Sequence, residues 1–464
     1  MQPIIETMKF LYHRFLDFFN SIKSKIAFYP TLFAIAGFGF AMLMLYLENR
    51  GISAWVIDKA PTLVINNADT AKTLLSFLTG GIISIMVFSF SMVMVLLSQA
   101  SSNYSPRVLP GLISKRNHQI VLGFYLATII YNTFTTVGID PKDNDTYQLP
   151  GFSVLLGIVF TVMCFGAFLY FIHSISTSIQ VNNILEGIYE KTKTGLEKMS
   201  DSDDSAVQDF RDTSHWYKFE SKRTGCFQKI DVESLTDLCK KHEIKIDVRP
   251  LPGTFILKGI PVVRVNRMID NDLRDKILAN FNFSQREYVE NNYALGFKQI
   301  TEIGIKAMSP GINDPGTAIS TIDYLTELFA LRMQKVNNLK KINKDDEQLV
   351  SVQDIPFDAL LYQIMVTFRT YCKADMTCLQ KLMIMLHYLD YIQTNEIYRR
   401  TLKREAKLLF NDAKKNLDNR ADVKVLERSY RKIVGWAFSF FGCEYYLNIK
   451  ETFKLQRFFV IGNI

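Results

Sequence analysis

Residues 74–97 read LLSFLTGGIISIMVFSFSMVMVLL, 24 consecutive positions without Asp, Glu, Lys or Arg. At 1.5 Å per residue such a helix is about 36 Å long, enough for a hydrocarbon core of roughly 30 Å. Three further stretches share the property: residues 27–47, 120–139 and 152–172. Four uncharged runs of this length do not suit the core helices of a soluble domain. The fold class is therefore an α-helical integral membrane protein with four transmembrane helices.

The charge distribution supports the division. The chain has 464 residues and a formal net charge of +8. Residues 1–172 hold only 11 basic and 8 acidic residues, whereas residues 173–464 hold 43 and 38. A purely cytosolic enzyme, a disordered chain and a small disulfide scaffold are excluded. Lys and Arg near the spans set orientation. Lys9, Arg14, Lys23 and Lys25 precede the first span, and Arg107, Lys115 and Arg116 lie in a second loop without acids. The first and third loops carry Asp and Glu among their few basic residues. Both termini are expected in the cytoplasm, and Arg107, Lys115 and Arg116 are candidate contacts for inner-leaflet lipid phosphate.

Residues 1–26 place Ile4, Met8, Leu11, Phe15, Phe18 and Ile22 at three- and four-residue steps, opposite Lys9, Arg14 and Lys23. This predicts an amphipathic helix in the headgroup layer.

Polar residues recur inside the spans with helical spacing. Ser84, Ser91 and Ser98 are two turns apart. Tyr125, Thr128, Asn132 and Thr135 form a face of the third span, and Tyr170, His173 and Thr177 a face at the end of the fourth. These faces are expected to meet, either as close helix–helix contacts or as a hydrated path lined by hydroxyls and amides. The uncharged interiors argue against a proton relay or a strongly charge-selective filter. Four helices hardly enclose a pore, so conduction implies a homo-oligomer.

After a helix and an acidic, Ser-rich linker (residues 173–222), residues 223–268 carry short β-branched runs punctuated by Pro252-Gly253 and Lys258-Gly259, with one helix over 233–241. Residues 269–464 are read as helical, with helices over 287–308, 317–337, 357–371, 376–394, 395–413 and 423–440, and with the charged block Lys340–Asp346 as a loop. The whole is a cytosolic α+β domain, a small β unit followed by a mostly helical part.

One corner stands apart: residues 307–318, AMSPGINDPGTA. Two Pro and two Gly within seven residues interrupt any helix, and Asp314-Pro315 has the form of an N-cap followed by Pro at the first helical position. The corner presents Ser309, Asn313 and Asp314. It resembles the SPGINDP motif of a large uncharacterised bacterial family of membrane proteins, a domain of unknown function. Residues 88–109 (FSFSMVMVLLSQASSNYSPRVL), 117–124 (NHQIVLGF), 170–181 (YFIHSISTSIQV) and 249–265 (RPLPGTFILKGIPVVRV) match the same family in the expected order. The resemblance implies four N-terminal membrane helices, a cytosolic C-terminal region and a bacterial plasma (inner) membrane, and no established activity. Residues 249–265 also resemble the hairpin of biotinyl/lipoyl-type barrel-sandwich domains. Lys258 lacks the flanking context of their modification site, so no covalent cofactor is expected.

The six cysteines form no C-x-x-C pair, the six histidines no H-x-x-x-H pair, and Walker A, G-x-G-x-x-G and G-x-S-x-G sequences are absent. No metal, cofactor or catalytic residue is assigned, and no basic stripe with interleaved aromatics suggests nucleic acid. The functional expectation is a homo-oligomeric channel-like protein passing ions or small solutes, with a regulatory or assembly domain in the cytosol. The alternatives are a non-conducting scaffold or sensor that binds a cytosolic partner, and a lipid-directed enzyme. Membrane lipids are partners in each.

Overall fold

A computed structural model describes residues 28–48, 50–53, 67–103, 116–139, 150–178, 180–199, 210, 212–284, 289, 292–335, 338–342 and 348–435. The chain divides into two units, Met1–Gly187 and Ile188–Ile464.

The first unit contains four helices long and apolar enough to cross a membrane: α1 (Phe28–Glu48), α2 (Ala68–Asn103), α3 (Arg116–Val137) and α4 (Gly151–Ser178). The amphipathic helix expected over residues 1–26 lies outside the described residues. Helices α2 and α4 outrun the expected spans at both ends, because the flanking residues keep helical backbone after hydropathy falls. With 36 residues, α2 is about 54 Å long, well beyond a hydrocarbon core. Helix α3 is central and packs against the other three. Its approach to α1 is set by Gly37, where a Cβ would stand 2.7 Å from the Ala127 backbone. Aromatic edges fill the layer above, with Tyr131 and Phe160 ring centroids 5.3 Å apart and Phe40 against both. Phe77, Val95 and Leu169 point outward, as expected of residues facing lipid.

Helix α5 (Val181–Glu197) leads into the second unit. There the strands β1 (Tyr217–Glu220), β2 (Gly225–Ile230), β3 (Ile246–Val248), β4 (Phe255–Ile256), β5 (Pro261–Val265), β6 (Phe281–Ser284), β7 (Asn338–Ile342) and β8 (Gln348–Gln353) form two sheets. The larger has the order β1-β5-β3-β8-β7 and the smaller β4-β2-β6. Only β3 and β8 pair in parallel, with Ile246 opposite Val350. The strands expected within residues 223–268 are present, but both sheets recruit segments outside that window. The block Lys340–Asp346, read as a loop, contributes to β7, which pairs antiparallel with β8. Its Lys-rich sequence hid it, and an edge strand tolerates such residues because it has only one paired neighbour.

Helix α6 (Val232–His242) packs against β8, and α7 (Asn271–Ala279) precedes β6. The remaining helices are α8 (Tyr293–Ala307), α9 (Pro315–Arg332), α10 (Phe357–Tyr371), α11 (Met376–Ile392), α12 (Glu396–Asn416) and α13 (Arg420–Val434). Asp or Asn caps most of them; Asp270, Asn292, Asp375, Asn395 and Asn419 each accept a backbone N–H from the first turn.

A buried polar knot ties α8, α9 and the chain after β8 together. Arg332 is fully buried. Its Nε donates to the Tyr293 hydroxyl at 3.0 Å and its Nη2 to the Ile355 carbonyl at 2.8 Å. Tyr293 donates in turn to Asp354 Oδ2 at 3.0 Å. Burial raises the Asp354 pKa, and the Arg332 charge opposes that rise. Removing the guanidinium leaves the buried Tyr293 hydroxyl and Ile355 carbonyl without their donor, at a cost of about 1–3 kcal/mol for each unsatisfied group. Arg332→Met should therefore loosen α8 and α9 in the full-length protein. Faster amide exchange there, measured by mass spectrometry, checks it. Gly37→Val should separate α1 from α3 and destabilise the detergent-solubilised protein by about 1–3 kcal/mol, read as a lowered thermal midpoint.

Candidate functional site: polar side chains inside the spans

Helix α3 turns its whole polar face inward. Tyr125, Thr128, Asn132 and Thr135 are all buried. Thr128 Oγ1 donates to its own helix at Phe124 O, 2.9 Å, and accepts from Cys164 Sγ on α4 at 3.4 Å. One turn away, Asn132 Nδ2 lies 3.5 Å from Thr161 Oγ1, which donates to Gly157 O. A Cβ at position 157 would sit 2.6 Å from Asn132 Oδ1, so a larger residue there would displace the amide. Gln119 Oε1 and Asn132 Oδ1 on α3 are buried without a hydrogen-bond partner among the described residues, and the Ser89 hydroxyl on α2 faces the Tyr125 hydroxyl on α3. These neutral hydroxyl and amide groups can take water or a monovalent cation, and none is a strong acid or base.

The two ends of the bundle are tied differently. At one end Glu48 is buried and its Oε1 accepts from the backbone N–H and hydroxyl of Ser153, at 2.9 and 2.8 Å. Its Oε2 accepts from Ser53, whose Oγ accepts from Phe152 N at 3.0 Å. A carboxylate thus answers the unpaired first-turn amides of α4, at the positive end of the helix dipole. Tyr131 adds a hydrogen bond to Ser153 O at 2.9 Å. At the other end the His118 ring is buried edge-on to Phe171, with Nε2 3.2 Å from Ser174 Oγ, and Asn117 donates to the Tyr170 hydroxyl at 3.0 Å.

The expected residues therefore fall into distinct places. Helices α3 and α4 bring polar side chains together, but α2 does not add its expected stripe. Ser84, Ser91 and Ser98 are exposed on the outer side of α2, with Ser84 Oγ donating to Gly80 O and Ser91 Oγ to Val87 O, both at 2.9 Å. The inner face of α2 is taken by Leu75, Ile82 and Ser89. A hydroxyl bonded to its own helix can face lipid, so spacing alone does not tell the inner stripe from the outer. His173 is exposed, Tyr170 half-exposed, and Thr177 donates to the carbonyls of His173 and Ser174. Arg107 and Lys115 lie outside the described residues. Arg116 opens α3, and its side chain is not among those described. Sequence reasoning missed Glu48, Ser89, His118, Thr161 and Cys164. Glu48 carried the best signal, an acid directly after an uncharged run.

The Ser309–Asp314 corner lies in the second unit. Ser309 O accepts from Ile312 N and Asn313 N, and Asn313 adopts a left-handed backbone with φ 50°. Asp314 caps α9 through Thr317, accepting from its N at 3.0 Å and its Oγ1 at 2.5 Å. Cys239 is buried behind β8, where burial pushes its thiol up to about 12. Among the described residues no cluster of His, Cys, Asp and Glu is placed to hold a metal.

Four membrane-spanning helices followed by an α+β domain define a polytopic membrane protein. Residues 23–388 match the family described as "Predicted membrane protein (DUF2254)", and the chain belongs to that family. It is similar to uncharacterized proteins of Mycobacterium bovis and Mycobacterium tuberculosis. Each is 21% identical over 309 residues, covering 64% of this chain and 58% of the relative. The chain thus spans less than two thirds of the length of these relatives. No solved structure matches it.

The hydrogen bonds from Thr317 hold the Asp314 carboxyl below the usual carboxylate range. A carboxylate depressed in the folded state stabilises above its unfolded pKa of about 3.9, and that contribution is lost as pH falls through the folded value. Asp314→Ala should cost about 1 kcal/mol at pH 7. The difference in thermal midpoint between variant and parent should shrink as the pH is lowered below about 4.

Proposed function

We propose that the protein is a homo-oligomeric, channel-like membrane protein passing ions or small solutes, with a cytosolic domain that serves assembly or regulation. The observation that carries this reading is the outward stripe of Ser84, Ser91 and Ser98 on α2. It runs over 14 residue steps, about 21 Å of helix, and so most of the depth of a hydrocarbon core. Each serine oxygen that donates its proton to an i−4 carbonyl keeps lone pairs for water or a cation. Gly80, exposed on the same face and with open space around it, lets a second copy come close. The α1–α3 and α3–α4 contacts within one chain are close at Gly37 and Gly157, which favours a route between copies over one through a single bundle.

Purified protein in a planar bilayer should give discrete currents, and its mass in detergent should be a multiple of the 53.4 kDa chain. Replacing Ser84, Ser91 and Ser98 together by Leu should abolish the current while the circular dichroism stays unchanged. Silent bilayers across voltage and pH would overturn the channel reading in favour of a non-conducting scaffold or sensor.

A further inference from the structure

We propose that the outer faces of α12 and α13 form a docking surface for an anionic lipid bilayer. Helix α12 buries Leu402, Glu405, Ala406, Leu409 and Ala413. The opposite side presents Arg400, Arg404, Lys407 and Lys414, at steps of four, three and seven residues that hold one helical face. All four are exposed. Arg404 lies beside the buried Glu405 at 3.6 Å, and the other three form no ion pair with a described residue. Helix α13 repeats the pattern. It buries Leu426 and Ile433 and exposes Arg420, Lys424 and Arg428 on the opposite side. Asp418, in the turn between the two helices, and Asp422, in the first turn of α13, are the acids left without an ion pair to a described residue, against seven exposed cations. Arg399 engages Glu396 and Asp390, Arg431 engages Glu427, and Asp412 is taken by Arg369 from α10. The two helices pack against each other, with Phe410 and Tyr430 stacked at 5.1 Å, and each also packs on α11.

The charge selects an anionic partner, and two features select a bilayer. The domain is covalently joined to four membrane-spanning helices, so a bilayer surface is always present at high effective concentration. The sequence directly after α13 reads WAFSFFGCEYYL over residues 436–447 and holds six aromatic residues. A basic segment followed in sequence by Trp, Tyr and Phe has the composition of interfacial membrane binding, in which headgroup charge and aromatic anchoring act together. Nucleic acid would answer the same charge, but the covalent tether to the spans keeps a bilayer beside the domain at all times, which favours lipid over a soluble polyanion.

The test uses the full chain in nanodiscs, one set of phosphatidylcholine alone and one containing phosphatidylglycerol. Acetylation rates of Lys407, Lys414 and Lys424 are measured by mass spectrometry, with Lys240 on α6 as an internal reference. The three lysines should react about fivefold more slowly in the phosphatidylglycerol discs, corresponding to one basic side chain's attraction to an anionic surface, while Lys240 is unchanged. Raising the salt to about 1 M should remove the protection. The Arg400→Glu, Arg404→Glu, Arg428→Glu triple variant keeps the reporter lysines and should lose the protection. Equal rates in the two discs overturn the proposal, as does slowing that includes Lys240. Slowing by duplex DNA in phosphatidylcholine discs, without slowing by phosphatidylglycerol, reassigns the surface to nucleic acid. Bilayer currents play no part in the readout, so it fails or succeeds independently of the channel reading.

Discussion

Hydrocarbon offers no hydrogen-bond partner, and this constraint shapes the first half of the molecule. A backbone that crosses it must answer its own N–H and C=O groups, which four long helices do. The ends are harder, because the first turn of every helix leaves amides unpaired. At α4 the protein uses Glu48, brought from the last residue of α1, together with Ser53. One carboxylate therefore joins two spans that are distant in sequence and neutralises the start of one of them.

The same constraint explains how the interior polar groups are treated. Thr128 and Thr161 return their protons to their own helices and still meet Cys164 and Asn132 across the α3–α4 contact. Ser84 and Ser91 on the outer side of α2 use the same local bond to become compatible with an apolar surface. The second unit buries charge by another route. Around Arg332, carbonyls, a tyrosine and a carboxylate gather from separate elements, so the knot exists only once α8, α9 and the chain after β8 are in place.

Much of the fold was legible because its signals are local. Uncharged run length located the spans, turn residues bounded β3 to β5, and Asp314-Pro315 announced the start of α9. Helix α10 runs over the residues its pattern suggests, Phe357–Tyr371. Less of the candidate site was legible. Ser84, Ser91 and Ser98 and the inner positions Leu75, Ile82 and Ser89 follow the same seven-residue rhythm on the same helix. Periodicity reports that a face exists, and only a neighbouring helix makes it the inner one. His173 and His118 pose the same problem, since both sit near span ends and only His118 has Phe171 and Ser174 around it.

By itself the sequence determined the membrane class, the number of spans, the strands between residues 223 and 268, most of the later helices, and the capped corner at Asp314. Each of these depends on hydropathy, charge and backbone preference within a few turns of chain. Tertiary structure alone decided that Glu48 caps α4, that Asn132 meets Thr161 over Gly157, that β8 runs parallel to β3, and that Arg332 is buried. These contacts join residues from 23 to 105 positions apart, and their energies arise only when the intervening chain has folded back to bring them together.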